Sequence, residues 1–394
     1  MLYSPDRHLP YEEILWNEDY ARETIRDIIG QTCASFDSET RLWPVHPKDE
    51  FKDSPRFFTE FYFGAAGVLW AMNELAEFNK ARHDIPSIDE VLAEHLRGKE
   101  PDHESPFCGQ LGIRFVKQLI APASENSKNL KVLIRRAANN SHREILYGGP
   151  GALAMAHVLW RAGDESYRGV CDEVARAILL QREIDKPSGA LVWSQDFGVQ
   201  RKFVGAAHGS VGNFGVLIRA LRDLGDRDTV HELIVDAEKF LSKYALVEGN
   251  LANWRRGFDD SDYSALTVVH WCHGATGVVT DLSRCISAEE SPILDKLFLK
   301  AANLVWKAGP LEKGVSLCHG TAGSGLACLA FFERSGDPVW LERARGLAMY
   351  ACKQYQSEIL KFGQVRFSLW TGDLGLAVFL RDVLRGVGCL PGLA

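Results

Sequence analysis

Two kinds of segment alternate along the chain. Short runs that are apolar on nearly every side each follow a pair of glycines, and longer segments between them carry charge with a one-sided apolar pattern. The first run is Val68-Leu69-Trp70-Ala71-Met72 after Gly64-Ala65-Ala66-Gly67, and pairs at Gly109/Gly112, Gly148/Gly151, Gly209/Gly212, Gly274/Gly277, Gly320/Gly323 and Gly372/Gly375 open the others. With 35 glycines in 394 residues, about three such pairs are expected by chance. Seven pairs, each opening an apolar run, constitute a repeat. The intervals between pairs (45, 39, 61, 65, 46 and 52 residues) are uneven, as for helix pairs joined by loops of varying length.

The charged segments are 11–30, 87–98, 127–141, 165–185, 227–246, 291–309 and 338–355. In the first, Ile14, Leu15, Tyr20, Ile25, Ile28 and Ile29 share one broad helical face. Helices apolar all round must be buried, whereas amphipathic ones bury one face and show the other to water. Sustained two-residue alternation is almost absent, so few strands are expected. The pattern predicts an all-α fold over 1–394, a double layer of seven inner and seven outer helices in one domain. The last run, Leu376 to Leu384, is as apolar as the middle ones. An open array ends on polar capping repeats, so the ring is expected to close. Glycines at the inner-helix starts are expected to permit close backbone approach and positive φ. The seven starts would bring unpaired N–H groups to one end of the ring, where a site is expected.

A net charge of −7 without a basic stripe argues against nucleic acid as a partner. No apolar run reaches the roughly 18 residues of a membrane span. Residues Met1 to Arg7 lack the basic and apolar regions of a secretory signal. Nine widely spread cysteines suit reduced cytoplasmic thiols, some of them metal ligands, better than a disulfide framework. No Walker-type nucleotide motif is present, and no segment reads as a kinase or dehydratase.

Two glycine pairs are preceded by Cys-His, in Cys272-His273-Gly274 and Cys318-His319-Gly320. Cys272, Cys318 and His319 would make a Cys2His set with one position open, an arrangement known for catalytic zinc. The ring explains how residues 46 positions apart could meet. Cys33, Cys171, Cys285, Cys328, Cys352 and Cys389 read as small buried hydrophobes. His270 and His273 read as supporting residues rather than ligands. Taken alone, His208 is a helix-start histidine and Lys313 a loop lysine.

An ordered set of motifs adds to this. Cys108-Gly109, Ala207-His208-Gly209, Asn253-Trp254, His270-Trp271-Cys272-His273-Gly274, Lys313 with Cys318-His319-Gly320-Thr321-Ala322-Gly323, and Phe367-Ser368-Leu369 together resemble the lanthionine synthetase C-like family over nearly the whole chain. The resemblance implies a double-layered α/α barrel and a Zn2+ ion held by Cys272, Cys318 and His319. It also implies addition of a thiol to dehydroalanine or dehydrobutyrine. His208 resembles the family's acid/base histidine. Lys313 resembles the cation that glutathione-using members place near the enolate oxygen, and Arg7 an N-terminal arginine of that subgroup. Cyclising members carry an aromatic residue after the first cysteine and an arginine four before it; His273 and Val268 stand there instead. With Lys313, these departures point to the branch that adds glutathione, or another small thiol, to dehydroamino-acid peptides or proteins.

The alternatives are a cyclase for a dedicated precursor peptide and a non-catalytic zinc- or thiol-binding scaffold. A toroidal glycosidase would need paired carboxylates, and Asp373 is the only acid inside a glycine pair. The sequence leaves open whether inserted segments near 93–107 and 186–204 guard the cavity mouth.

Overall fold

The structure, a computed structural model, describes residues 1–37, 39–50, 55–78, 85–97, 104–259, 261 and 265–393. Among these, fourteen α-helices alternate between two layers. The inner helices are α2 (Ala65–Glu74), α4 (Gln110–Ile120), α6 (Gly149–Arg161), α8 (Ser210–Leu224), α10 (Ala275–Leu282), α12 (Thr321–Ser335) and α14 (Asp373–Arg385). The outer helices are α1 (Glu18–Ala34), α3 (Ile88–Leu96), α5 (Ser124–Ala137), α7 (Arg168–Leu179), α9 (Arg227–Tyr244), α11 (Pro292–Ala308) and α13 (Pro338–Phe362). Each inner helix packs on the next, and α14 packs on α2, so the ring closes. Each of the first six inner helices is backed by the outer helix that follows it. The seventh, α14, is backed by α1 from the other end of the chain.

Two expectations about the helices change. The first outer helix begins at Glu18, where the Asn17 side chain accepts the Tyr20 N–H at 2.9 Å. Residues before it run extended, with the Tyr11 ring 4.7 Å from Trp306, and Leu15 is 82 % exposed. Helix α4 is not apolar all round: Arg114 donates to Asn126 at 3.3 Å, and Lys117 pairs with Asp89. The segment 87–98 forms α3, and its last residue lies outside the described ones.

The glycine pairs act through space more than through φ. At six of the seven starts the first glycine is extended, and only Gly274, at φ 87°, has the positive φ that favours glycine. The second glycine has a constant task. A Cβ at Gly67, Gly151, Gly212 or Gly323 would lie 2.3, 1.9, 1.9 or 2.1 Å from the carbonyl oxygen six residues earlier. The chain before each inner helix therefore folds back as a hook against the helix's first turn. The hook also occupies the helix N–H groups expected to be free. Ala65 and Ala66 donate to Phe58 and Thr59, Ser210 and Val211 to Phe203 and Val204, and Thr321 and Ala322 to Gly314 and Val315, all within 2.9–3.1 Å.

Three two-stranded antiparallel hairpins decorate the connections. They are β1 (Glu183–Asp185) with β2 (Ala190–Val192), β3 (Gln195–Asp196) with β4 (Gln200–Arg201), and β5 (Leu246–Glu248) with β6 (Leu251–Asn253). At the ring's centre the hooks meet through aromatic residues. Trp370 lies 4.4 Å from Trp271 and 5.6 Å from Phe107 by ring centroids, and stacks on Tyr62 at 6.0 Å.

Gly212→Ala is expected to destabilise the fold by about 2–3 kcal/mol, the cost of forcing an extra carbon into a packed site. Gly30→Ala, whose added Cβ meets nothing within 4 Å on α1, is expected to stabilise it by up to about 1 kcal/mol. Denaturant titrations of the two variants measure the difference. Equal effects would remove the hook as the reason for the repeat.

Candidate metal centre and the cavity above it

The hooks place equivalent residues side by side. Two residues before the N-cap glycine stand Tyr62, Phe107, Leu146, Ala207, Cys272, Cys318 and Trp370. One residue before it stand Phe63, Cys108, Tyr147, His208, His273, His319 and Thr371. The cysteines singled out in the sequence thus occupy one position in consecutive repeats, and His208, His273 and His319 occupy the next. Both cysteines are buried, and the two sulfurs and a His319 ring nitrogen lie within 4.8 Å of one another. Among the described residues this is the one such group of three potential ligands. The Cys318 Sγ to His319 Nε2 distance is 3.6 Å. Tetrahedral zinc, with bonds of about 2.3 Å to sulfur and about 2.05 Å to nitrogen, sets its ligand atoms about 3.6 Å apart. Donor set and spacing therefore fit zinc.

The surroundings prepare this group for a cation. A hydrogen bond from Cys318, opposed by burial, holds the Cys272 thiol well below its ordinary range, with His319 and His270 adding to the effect. Burial, together with the neighbouring Cys272 sulfur, pushes Cys318 far up, although Tyr62 hydrogen-bonds it and Lys313 lies near. The opposite shifts are two faces of one shared proton, which a bound dication would displace. Burial holds His319 below its ordinary value, leaving it the neutral form that coordinates metals.

Above the sulfurs opens a cavity of about 620 Å³. Its walls carry six cationic side chains (Arg7, Lys48, Arg256, Lys313, Lys361 and Arg366) against two carboxylates, Glu312 and Glu358. His208, His270, Cys272, His273 and His319 complete the polar lining. Arg7 arrives on an N-terminal strap: Leu9 N–H donates to Pro310 at 2.8 Å, and Glu312 N–H donates to the Arg7 carbonyl at 3.1 Å. The strap is tied to the metal-binding loop through buried Asn253. Its Nδ2 donates to the Leu2 carbonyl at 2.7 Å while its Oδ1 accepts the Ala275 N–H at 2.7 Å, three residues past Cys272. That gives the Asn253-Trp254 motif its physical content. Arg366 is held by Asp49, and Lys48 pairs with Glu358 while donating to the Lys313 carbonyl at 3.3 Å.

His208 has a partner the sequence did not suggest. Its Nδ1 lies 3.0 Å from Oε2 of the fully buried Glu144. A carboxylate accepts, so Nδ1 donates and Nε2 faces elsewhere. Glu144 also accepts the N–H groups of Leu146 and Tyr147 at 3.1 and 2.5 Å, which fixes it in its own hook. Burial alone would lower the His208 pKa, but the hydrogen bond and charge of Glu144, together with the Cys272 sulfur, outweigh it and the net shift is upward. His273, 5.4 Å away by ring centroids, is pushed by burial down to about 3 and stays neutral. Ser105 and Ser316, four residues before their glycines like Glu144, accept the N–H of Cys108 and His319. Aligning the repeats on that register would have drawn attention to Glu144 and to Tyr62; the spacing of Lys48, Arg256, Lys361 and Arg366 carries no such signal.

Of the other cysteines, Cys171, Cys285, Cys328 and Cys352 are buried, while Cys33 and Cys389 are half-buried. Within the segment 186–204, Phe197 and Phe203 bring their rings to 6.2 and 6.3 Å from His208, so this insertion does border the site. Of 93–107, residues 98–103 lie outside the described residues.

A closed ring of seven helix pairs, with two cysteines and a histidine on neighbouring hooks, defines a helical toroid built around a candidate metal centre. The sequence profile of the lanthionine synthetase C-like protein family matches residues 22–387, and the chain belongs to that family. It is 29% identical over 250 residues to glutathione S-transferase LANCL1 of Danio rerio, covering 61% of this chain and 59% of that protein. It is 30% identical over 158 residues to LanC-like protein GCL1 of Arabidopsis thaliana, covering 39% of this chain and 33% of that one. The chain thus spans about three fifths and one third of the length of these relatives. Among solved structures, nisin cyclase shares the fold at a TM-score of 0.56 and 14% identity, over 94% of this chain and 100% of that one. No helix among the described residues is long and apolar enough to cross a membrane.

Glu144→Gln is expected to lower the His208 pKa below the ordinary 6.5, because burial remains and the opposing carboxylate is gone. The upward shift in the native protein contributes stability that is complete below the unfolded-state pKa and is lost as pH rises through the folded one. NMR titration of the His208 ring in both proteins checks this. An unchanged midpoint would show that Glu144 does not set it.

Proposed function

We propose that this chain is an enzyme that adds a small anionic thiol, glutathione in the first instance, to dehydroalanine or dehydrobutyrine residues of peptides or proteins. The observation that carries the proposal is a Cys2His donor set, two of whose members, Cys272 and His319, line a cavity whose charged walls are mainly cationic. Glutathione carries two carboxylates, and six cations against two acids favour a ligand of that charge. The name of the zebrafish relative supports glutathione as the thiol.

In this reading Cys272, Cys318 and His319 hold zinc, which when bound ionises an incoming thiol and keeps its sulfur nucleophilic. Arg7 and neighbouring cations hold the thiol substrate's carboxylates. The sulfur bonds to the β-carbon of the dehydroamino acid, and the π electrons move toward the carbonyl oxygen. Lys313 offers its charge to that developing enolate. The α-carbon then takes a proton from His208 Nε2, with Glu144 balancing the imidazolium on the other nitrogen. The thiol's own proton is released on ionisation and returns the imidazole to its charged form, so the net reaction is addition of S–H across the double bond. Nine free cysteines suit a reducing compartment such as the cytoplasm.

The purified protein is expected to contain about one zinc per chain by the stoichiometry of one donor set, and Cys318→Ala to lose it. Incubated with glutathione and a dehydroalanine peptide, the zinc-loaded protein should form a thioether adduct, seen by mass spectrometry, faster than buffer. Lys313→Ala should lower kcat about 10²-fold, as loss of a transition-state charge partner does. No adduct above the uncatalysed rate would remove this function.

A further inference from the structure

Beside the cavity, against the His208 ring that lines it, stands an aromatic group that the thiol chemistry leaves unused. The β3–β4 hairpin turns through Phe197-Gly198-Val199, with Gly198 at φ 77°. Its base is fixed: buried Gln195 accepts the Phe203 N–H at 2.9 Å and donates to the Trp193 carbonyl at 3.0 Å. Asp196 N–H donates to the Ser141 carbonyl at 3.1 Å. A tightly held turn nevertheless presents Phe197 at 37 % and Val199 at 58 % exposure. The Phe197 ring is not isolated. It contacts the rings of His142, Tyr147, Phe203 and His208 at centroid distances of 5.1, 6.2, 6.1 and 6.2 Å. An aromatic shelf thus runs from the proposed proton donor to the hairpin tip, whereas the six cations belong to the cavity itself.

We propose that Phe197, with Tyr147 against its ring and Val199 exposed in the same turn, forms the acceptor subsite that takes a bulky apolar side chain one or two residues from the dehydroamino acid. The inference rests on the thiol-addition reading for the position of the reacting residue. If His208 protonates the α-carbon, that carbon lies at the His208 ring. An extended peptide rises about 3.3 Å per residue, so a span of 6.2 Å from His208 to Phe197 corresponds to about two residues. The Phe197, Tyr147 and Phe203 rings are themselves uncharged and pack on one another, so they favour Leu-, Phe- or Met-type side chains over small polar ones. The substrate class is therefore a polypeptide with an apolar residue beside its dehydrated position, lying with that flank on the hairpin and its reactive carbon over the cavity.

The test uses pairs of peptides with leucine or serine flanking the central residue. In one set that residue is dehydroalanine, and in the other it is alanine, which binds without reacting. The zinc-loaded wild-type protein is expected to bind the leucine-flanked alanine peptide about ten-fold more tightly than the serine-flanked one, the discrimination an apolar contact provides. Phe197→Ala should abolish the preference, and Phe197→Leu should keep most of it. With dehydroalanine peptides the loss should appear in the peptide KM, leaving the glutathione KM, the zinc content and turnover of N-acetyldehydroalanine amide unchanged. Equal binding of the two flanks, a preference that survives in Phe197→Ala, or an equal loss on the minimal acceptor would overturn the subsite. A flank preference without any thioether product would uphold the subsite and remove the thiol-addition reading instead.

Discussion

A closed circuit of seven main-chain hydrogen bonds joins the hooks and sets everything else. Tyr62 N–H donates to Phe107, Phe107 to Leu146, Ile145 to Ala207, Ala207 to Cys272, Trp271 to Cys318, Cys318 to Trp370, and Trp370 back to Tyr62, at 2.9–3.4 Å. Backbone donors and acceptors buried at the centre of a toroid have no water to turn to, so they must find each other. The circuit satisfies them and fixes each hook against its neighbours. It passes through the backbones of Cys272 and Cys318 themselves. The sulfurs are therefore brought together through main-chain geometry. Second glycines keep the circuit possible, since a Cβ at any of them would push a hook away from its helix.

Charge is organised on a different scale from the fold. The chain carries a net charge of −7, yet one cavity gathers six of its cations. Several are held in place rather than left to move: Arg366 by Asp49, Lys48 by Glu358, and Arg7 by the strap that pairs with 309–312. Segments from the chain's beginning, middle and end supply them, Lys361 from the last turn of α13 and the others from connecting segments, which a toroid permits because all its hooks open at one end. An anionic ligand would meet there a potential opposite in sign to that of the molecule as a whole.

The two layers, their number and their closure follow from periodicity and glycine spacing, because an all-round apolar helix has only one place to go. Cys272, Cys318 and His319 were legible because soft ligands beside glycine pairs are unusual. Other features depended on contacts between distant repeats. Glu144 looks like any loop acid until its hook is placed beside that of His208. Tyr62 looks like core until its phenol meets Cys318. At α2, α8, α12 and α14 the first inner-helix N–H groups, expected to be free, are taken by loop carbonyls, and the cations of the cavity are side chains. Glycine was read correctly as a sign of close approach, but the positive φ expected with it appears among the seven first glycines only at Gly274.

By itself the sequence determined a sevenfold all-α ring and singled out the three candidate ligands at one end of it. These properties are periodic or local, and a hydrophobic pattern or a residue type beside a turn records them directly. Tertiary structure alone decided the partner of His208, the cationic composition of the cavity, the anchoring of Arg7 and the exposure of Phe197. Each of these is a distance between residues separated by 11 to more than 300 positions, and no spacing along the chain encodes such a distance until the circuit of hydrogen bonds closes the ring.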